Sequence, residues 1–309
     1  MADQPLAAVL DDVNAPVRVD VAGRPGAGRD TVRRALRGAG AAVVDGGEPA
    51  DLGIYVFCEA LTREDIAALS AARRPVVALL NKADLTCFRG DGPMAVAAQR
   101  CREFQRRTGV PTRPLAALLA VTTSSGELAR PLIEALEAVT VEPARLIPAA
   151  RRRLLGELDL YGIALAATAM SRGADSVALA ALLRKISGIQ AVLDEIDRAG
   201  AAIRYRRLIG RLARLAEQAV GPRSARVAEF LASDAVILAR MAAATEVIAV
   251  PEKTAGLAEG SAAHLRRAVY WQHYARGPVS ALHRACGTDI ARGALRLWVR
   301  AGGIPESMP

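Results

Sequence analysis

The stretch "GRPGAGRDT", residues 23 to 31, is where this chain could do phosphate chemistry. Gly23 and Gly28 bracket the loop and Gly26 lies between them. Glycines so placed let backbone N–H groups close around a phosphate, and a helix that starts just beyond adds the favourable end of its dipole. A loop of this kind continues with Lys, a compact cation for the terminal phosphates, and then Ser or Thr, whose hydroxyl ligates magnesium. Here Arg29 and Asp30 hold those two positions, followed by Thr31. Arg29 keeps the charge but is longer and planar. Asp30 brings a carboxylate that could hold a metal or repel an anion. Taken alone, the loop also reads as a Gly-rich turn with no ligand.

A second group, Asn81-Lys82-Ala83-Asp84, follows directly on the apolar run "VVALL". It matches the N-K-x-D guanine-specificity motif of P-loop GTPases. Lys82 is one of three lysines, with Lys185 and Lys253, among 41 basic residues, so a lysine here departs from the chain's habit of writing cations as Arg. Loop and motif come in the family's order, and residues 17–140 resemble a P-loop GTPase domain, somewhat less than half of the chain. The resemblance implies that Asp84 accepts hydrogen bonds from guanine, that the Lys82 stem packs over the base and that Asn81 braces the loop. It also implies a base-contacting loop after the next strand. Thr122, Thr123, Ser124 and Ser125 fall there, and read equally well as an N-cap cluster for a helix beginning at 126.

The family's other elements are missing. The first helix runs through "RGAG" straight into "AAVVD", which leaves no room for a first switch loop. The nearest match to D-x-x-G is Asp45-Gly46-Gly47-Glu48, with Glu48 where glycine is required. The resemblance therefore implies a pseudo-GTPase, with GTP or GDP bound weakly or not at all, no use for magnesium, and a regulatory or scaffolding role beside a partner protein such as an active GTPase. Two alternatives stand beside it: a divergent GTPase completed by a partner or dimer mate, and a peripheral adaptor that lays Arg-rich helices on an anionic membrane. A dinucleotide site fits less well, because "GAGRDT" lacks the third glycine.

The elements that must position these residues are legible in outline. Strands are expected at 17–23, 41–45, 51–58, 74–80 and 115–121, alternating with helices at 29–40, 62–73, 92–109 and 126–139. Such alternation predicts an α/β fold with a doubly wound, mostly parallel sheet and ligands beyond the carboxyl ends of the strands. From 148 to 300 there is almost no strand signal. Helices are expected at 149–172, 175–187, 188–219 (with a break at Gly200), 222–248, 261–276 and 278–300, an all-helical bundle. The expected domains are thus 1–145 and 146–309. Likeness of the helical part to bacterial dynamin-related or Era-like proteins rests on fold-level analogy alone.

Composition bounds the rest. The chain has 309 residues, 52% hydrophobic but only 4% aromatic, so its core must be built from Ala, Leu and Val. The net charge of +9 fits either a solvated Arg-rich surface or an anionic partner; nothing marks a nucleic-acid motif. Cys58, Cys87, Cys101 and Cys286 have no metal spacing, nor do His264, His273 and His283. Reduced thiols and an acidic N-terminal leader without a basic start suit the cytoplasm, with the inner membrane face as the alternative. Arg204, Arg207, Arg211 and Arg214 form one stripe of a helix and Leu208, Leu212, Leu215 and Ile209 another, which suits a membrane surface, an acidic groove or an ordinary bundle helix. Tyr270, Trp271, His273, Tyr274 and His283 gather as a docking site or as the packed end of a bundle.

Overall fold

The computed structural model describes residues 15–86, 92–141, 147–219, 222–248 and 260–303. The leader up to residue 14, Cys87, and most of the gaps between the expected helices, at 220–221 and 249–259, lie outside these residues.

Four strands, β1 (Val19–Gly23), β2 (Leu52–Phe57), β3 (Val76–Asn81) and β4 (Thr112–Leu115), pair in parallel in the order β1-β2-β3-β4. The expected strand at 41–45 is reduced to one bridge, Val43 to Val19, on the outer side of β1. Two hydrogen bonds of 2.9 Å hold it, Val19 N–H to the Ala42 carbonyl and Val44 N–H to the Val19 carbonyl. The Asp-Gly-Gly that follows has no apolar side chain to pack and little strand preference, and it ends the pairing. The chain therefore leaves β1 toward one edge and returns across it to make β2. A reversal of this kind opens a crevice at the carboxyl ends of an α/β sheet, and the loop after β1 sits at it.

Helices cover the strands. Phe57, Ala78 and Leu80 pack against Leu69 of α2 (Arg63–Ser70) and against Ala97, Cys101 and Phe104 of α3 (Pro93–Thr108). Their neighbours Val56, Val77 and Leu79 face the other side by the two-residue alternation of a strand and are also buried. Burial on both faces is why 76–80 reads as an unbroken apolar run.

One expected strand is a helix. The run "LAALLAV" was expected as β-structure at 115–121, but the strand ends at Leu115 and α4 takes Ala117–Thr122. A short apolar run has no periodicity to separate a buried strand from a buried helix. Here Ala and Leu favour the helix, and the Ala116 and Ala117 N–H groups find partners at the turn, the Ser187 carbonyl and the Asn81 side chain.

Helix α1 (Arg29–Gly38) follows the Gly-rich loop, and α5 (Arg130–Val141) places Pro131 in its first turn, where a missing N–H costs nothing. The helix expected at 149–172 is two, α6 (Pro148–Glu157) and α7 (Asp159–Met170), separated at Asp159, whose φ is 56°. Next come α8 (Ser176–Ser187) and α9 (Ile189–Glu217), which runs through Gly200 without a break.

The compact units do not divide at 145/146. Among the described residues, 17–197 form one and 198–303, with 15 and 16, form the other. The reason is a shared core: Leu119, Leu132 and Leu136 of α4 and α5 are buried with Leu154, Leu158, Leu179 and Leu183 of α6 to α8. Each such leucine is worth about 1.5–3 kcal/mol of burial.

The second unit holds the end of α9, α10 (Pro222–Ala232), α11 (Asp234–Ile248), α12 (Ser261–Arg276) and α13 (Ala281–Arg300). Ser233 separates α10 from α11, where one helix over 222–248 was expected. Leu208 and Leu212 pack on Val236. Trp271 is buried with Tyr205, Cys286 and Ile290, and meets Tyr274 edge to face at 5.1 Å. Tyr270 remains 55% exposed. Of the Arg stripe, Arg204 pairs with Glu246 and Arg207 donates to the Ala15 carbonyl. No single helix among the described residues is long and apolar enough to cross a membrane; α8 and α9 meet that test only jointly, across a 53° bend.

Candidate functional site

The Gly-rich loop owes its shape to its neighbours. At Gly23 a Cβ would stand 2.1 Å from the Val56 carbonyl oxygen, so only glycine lets β1 end against β2. Gly28 caps α1 with φ of 84°, in the left-handed region. A Cβ there would lie 2.5 Å from Asn81 Nδ2. Arg24 is turned back from the loop. Its Nη2 donates to the Cys58 and Ala60 carbonyls at 3.2 and 3.1 Å, and its Nε lies 3.1 Å from Asp65 Oδ1.

Asp65 is the buried anchor of this network. Its side chain is fully enclosed and accepts from Tyr55 Oη at 2.8 Å and from the Thr62 N–H at 2.7 Å. Thr62 caps α2 in return, so the two residues form a capping box. Burial, and next the hydrogen bond to Asp65, pushes the Tyr55 phenol up to about 12. Thr62 and its acidic first turn announce the helix start in the sequence; the pairing of Asp65 with Arg24, 41 positions earlier, has no local signal.

Asn81 ends β3 and is 3% exposed. Its Nδ2 donates to the Ala27 carbonyl at 2.8 Å, and its Oδ1 accepts from the Ala117 N–H at 3.2 Å. One carboxamide thus joins the Gly-rich loop, the end of β3 and the turn into α4. Lys82 follows in the left-handed region, with φ of 56°, and points into solvent. Neither Lys82 nor Arg29 has an ion-pair or hydrogen-bond partner among the described residues. The carboxyl ends of β1 and β3 therefore carry two uncommitted cations beside a helix N-terminus, an arrangement that attracts an anion.

Asp84 lies in the short 3-10 turn Ala83–Leu85 and is 3% exposed. Loss of water raises its carboxyl to about 6; a hydrogen bond to its own backbone opposes this, Asp159 adds to it and Lys82 opposes it. Tyr161, two residues beyond Asp159, has its phenol raised by burial and by Asp84, and its Oη is 3.6 Å from where a Cβ on Gly92 would be. The start of α7 thus stands in the electrostatic neighbourhood of Asp84, a placement that only the fold reveals.

Asp30 and Asp45 line one cleft of about 420 Å³ with Arg33, Arg34, Arg37 and Gly46. Each carboxylate already has a guanidinium: Asp30 with Arg33 at 2.7 Å, Asp45 with Arg37 at 2.6 Å. A magnesium ion prefers a hydroxyl, carboxylates and water in an open octahedron. The donor set departs from that preference in one respect, since Asp30 stands where the hydroxyl would be; the two Asp–Arg pairs are largely exposed, at 93% for Asp30 and 74% for Asp45, and pairs of that kind are weak.

Gly26 and Thr31 lie in the loop and the first turn of α1, but Ser124 and Ser125 do not join them. Both follow the end of α4; their hydroxyls donate to the Val121 and Glu127 carbonyls. Ser124 Cβ is 2.9 Å from the Cβ position of Gly38, the last residue of α1. Ten helical residues, about 15 Å, separate that end from the loop. The turn after β4 that does reach the site is Ala116–Ala117, whose Ala117 N–H meets Asn81.

No protein-family model matches this chain, and neither a curated protein nor a solved structure is detectably similar to it.

Proposed function

We propose that this chain is a GTPase-like protein that has given up hydrolysis and serves as a regulatory or scaffolding partner of another protein, an active GTPase being the partner class of choice. The observation that carries the reading is the Asn81 carboxamide, which spans Ala27 and Ala117. It supports the bracing role that the resemblance to P-loop GTPases assigns to this asparagine. The reversal of strand order at β1 puts the loop where α/β sheets bind ligands.

The loss of chemistry is read from the same place. A catalytic site of this class needs magnesium and a positioned water. Asp30 stands in place of the magnesium-binding hydroxyl and faces Arg33, Asp45 faces Arg37, and α1 passes to Val43 without room for a switch loop. GTP or GDP is then bound weakly or not at all, and what binding there is runs through Arg29, Lys82 and the loop amides. A calorimetric titration with GDP and GTP, with and without magnesium, tests this. Magnesium-independent weak binding, or none, agrees with the reading; magnesium-dependent GTP hydrolysis in a single-turnover assay sinks it.

The uncommitted Arg29 and Lys82 favour one second reading, a divergent GTPase whose missing groups come from a partner or a second copy. Hydrolysis that rises more than linearly with protein concentration would favour it over the first.

A further inference from the structure

Three helices of the second unit meet at a buried aspartate and its half-buried arginine beside an open cavity. Asp289 of α13 is 2% exposed. Its Oδ1 lies 2.7 Å from Arg240 Nη2 on α11, and its Oδ2 accepts from Arg240 Nε at 3.2 Å and from Tyr205 Oη on α9 at 2.8 Å. With Arg240 30% exposed the pair is half-buried, and it is a poor source of stability compared with apolar side chains of the same size. Its position suggests another use, because Arg240 and Asp289 line a cleft of about 470 Å³.

The rest of that cleft is two-sided in character. Ile237, Leu295 and Val299 give it apolar walls, and Leu295 and Val299 are 43% and 51% exposed. Arg292 and Arg296 also line it. Arg292 is exposed and has no partner among the described residues. Arg296 shares Asp234 with Arg300. Asp289 holds Arg240 through Nε and Nη2, which leaves its Nη1 without a partner among the described residues and fixes the plane of the guanidinium. Three arginines against one aspartate leave the lining with a surplus of positive charge. A cavity of this size falls within the range of small-ligand sites, where apolar walls supply burial and a few polar groups fix orientation.

We infer that this cleft binds a free single-chain anionic amphiphile of the fatty-acid class, its carboxylate on Arg292 and Arg240 and its alkyl chain against Ile237, Leu295 and Val299. The inference is independent of any nucleotide site. Apolar walls without cations would take a neutral hydrocarbon, and cations without apolar walls a bare anion; only an amphiphile uses both.

Titration calorimetry of the full chain tests it with four probes: decanoate below its micellar concentration, acetate, decyltrimethylammonium, and vesicles of anionic phospholipid. The expected result is one saturable decanoate site, at least tenfold tighter than acetate or decyltrimethylammonium. Arg292→Glu should weaken decanoate at least tenfold while the unfolding temperature stays within about 2 °C, since Arg292 is exposed and unpaired. Overturning results are equal binding of decanoate and decyltrimethylammonium, unchanged decanoate affinity in Arg292→Glu, or a response to vesicles alone, which would point to a membrane surface in place of a free ligand.

Discussion

Asn81 Nδ2 donates to the Ala27 carbonyl across 2.8 Å, and the same side chain fills the space that a Cβ on Gly28 would need. The glycine and the asparagine are therefore one constraint: the loop closes because Gly28 has no side chain, and the closed loop then supplies a buried partner for the amide.

Replacing Asn81 with Ala would leave the Ala27 carbonyl and the Ala117 N–H buried without partners. A buried polar group left unsatisfied costs about 1–3 kcal/mol, so Asn81→Ala is expected to lose roughly 2–4 kcal/mol in urea unfolding. A loss under about 0.5 kcal/mol would show that the site does not depend on this bridge.

Removing Arg24 uncovers a charge. Asp65 is fully buried and Arg24 is its cation, itself about a third exposed. Breaking a buried pair costs about 3–5 kcal/mol, and partial solvent access lowers that. Arg24→Gln is expected to cost about 2 kcal/mol near neutral pH, and Arg24→Gln with Asp65→Asn distinctly less than the sum of the single changes. Additive effects in a double-mutant cycle would rule out direct coupling.

Asp84 makes stability depend on pH in a stated direction. Its folded value is about 6, above the ordinary 3.8. Between those values the folded state holds a proton that the unfolded chain has released, so stability falls as pH rises from about 4 to about 6. Asp84→Asn removes this loss. The variant should match the wild type near pH 3.5 and exceed it by on the order of 2 kcal/mol at pH 7. A constant difference across that range would show that Asp84 titrates normally.

The compact unit 17–197 has a consequence for truncation. A fragment ending at residue 145 strips α6 to α8 from Leu119, Leu132 and Leu136. It is expected to aggregate or to lose near-ultraviolet circular dichroism, while 17–197 keeps a cooperative transition. A well-folded 1–145 fragment would contradict the shared core.

Restoring Arg29→Lys and Asp30→Ser together tests the proposed history of the loop. If the site decayed from a working one, GDP affinity should rise tenfold or more by calorimetry, with magnesium now contributing. No gain would argue that the loop's shape serves structure alone.

Much of the first unit was legible because its cues are local. Alternating apolar and helical patterns marked β1 to β3, and Thr62 marked α2. "NKAD" stood out by composition, as one of three lysines in an Arg-writing chain. The last strand was misplaced because "LAALLAV" has no period that separates helix from strand, and Ser124 and Ser125 were misplaced with it. The 145/146 boundary followed from the end of strand signals, whereas compactness follows from which leucines share a core.

By itself the sequence determined the parallel α/β element order, the helical remainder and the residue types at the loop and at 81–84, since these depend on neighbours a few positions away. Only the tertiary structure decided that Asn81 joins Ala27 to Ala117, that Arg24 is taken by Asp65, that Asp84 is buried near Asp159, and that Arg240, Asp289 and Tyr205 meet beside a cavity. Those relationships depend on burial, which sets the strength of every charge and hydrogen bond and which no stretch of sequence carries alone.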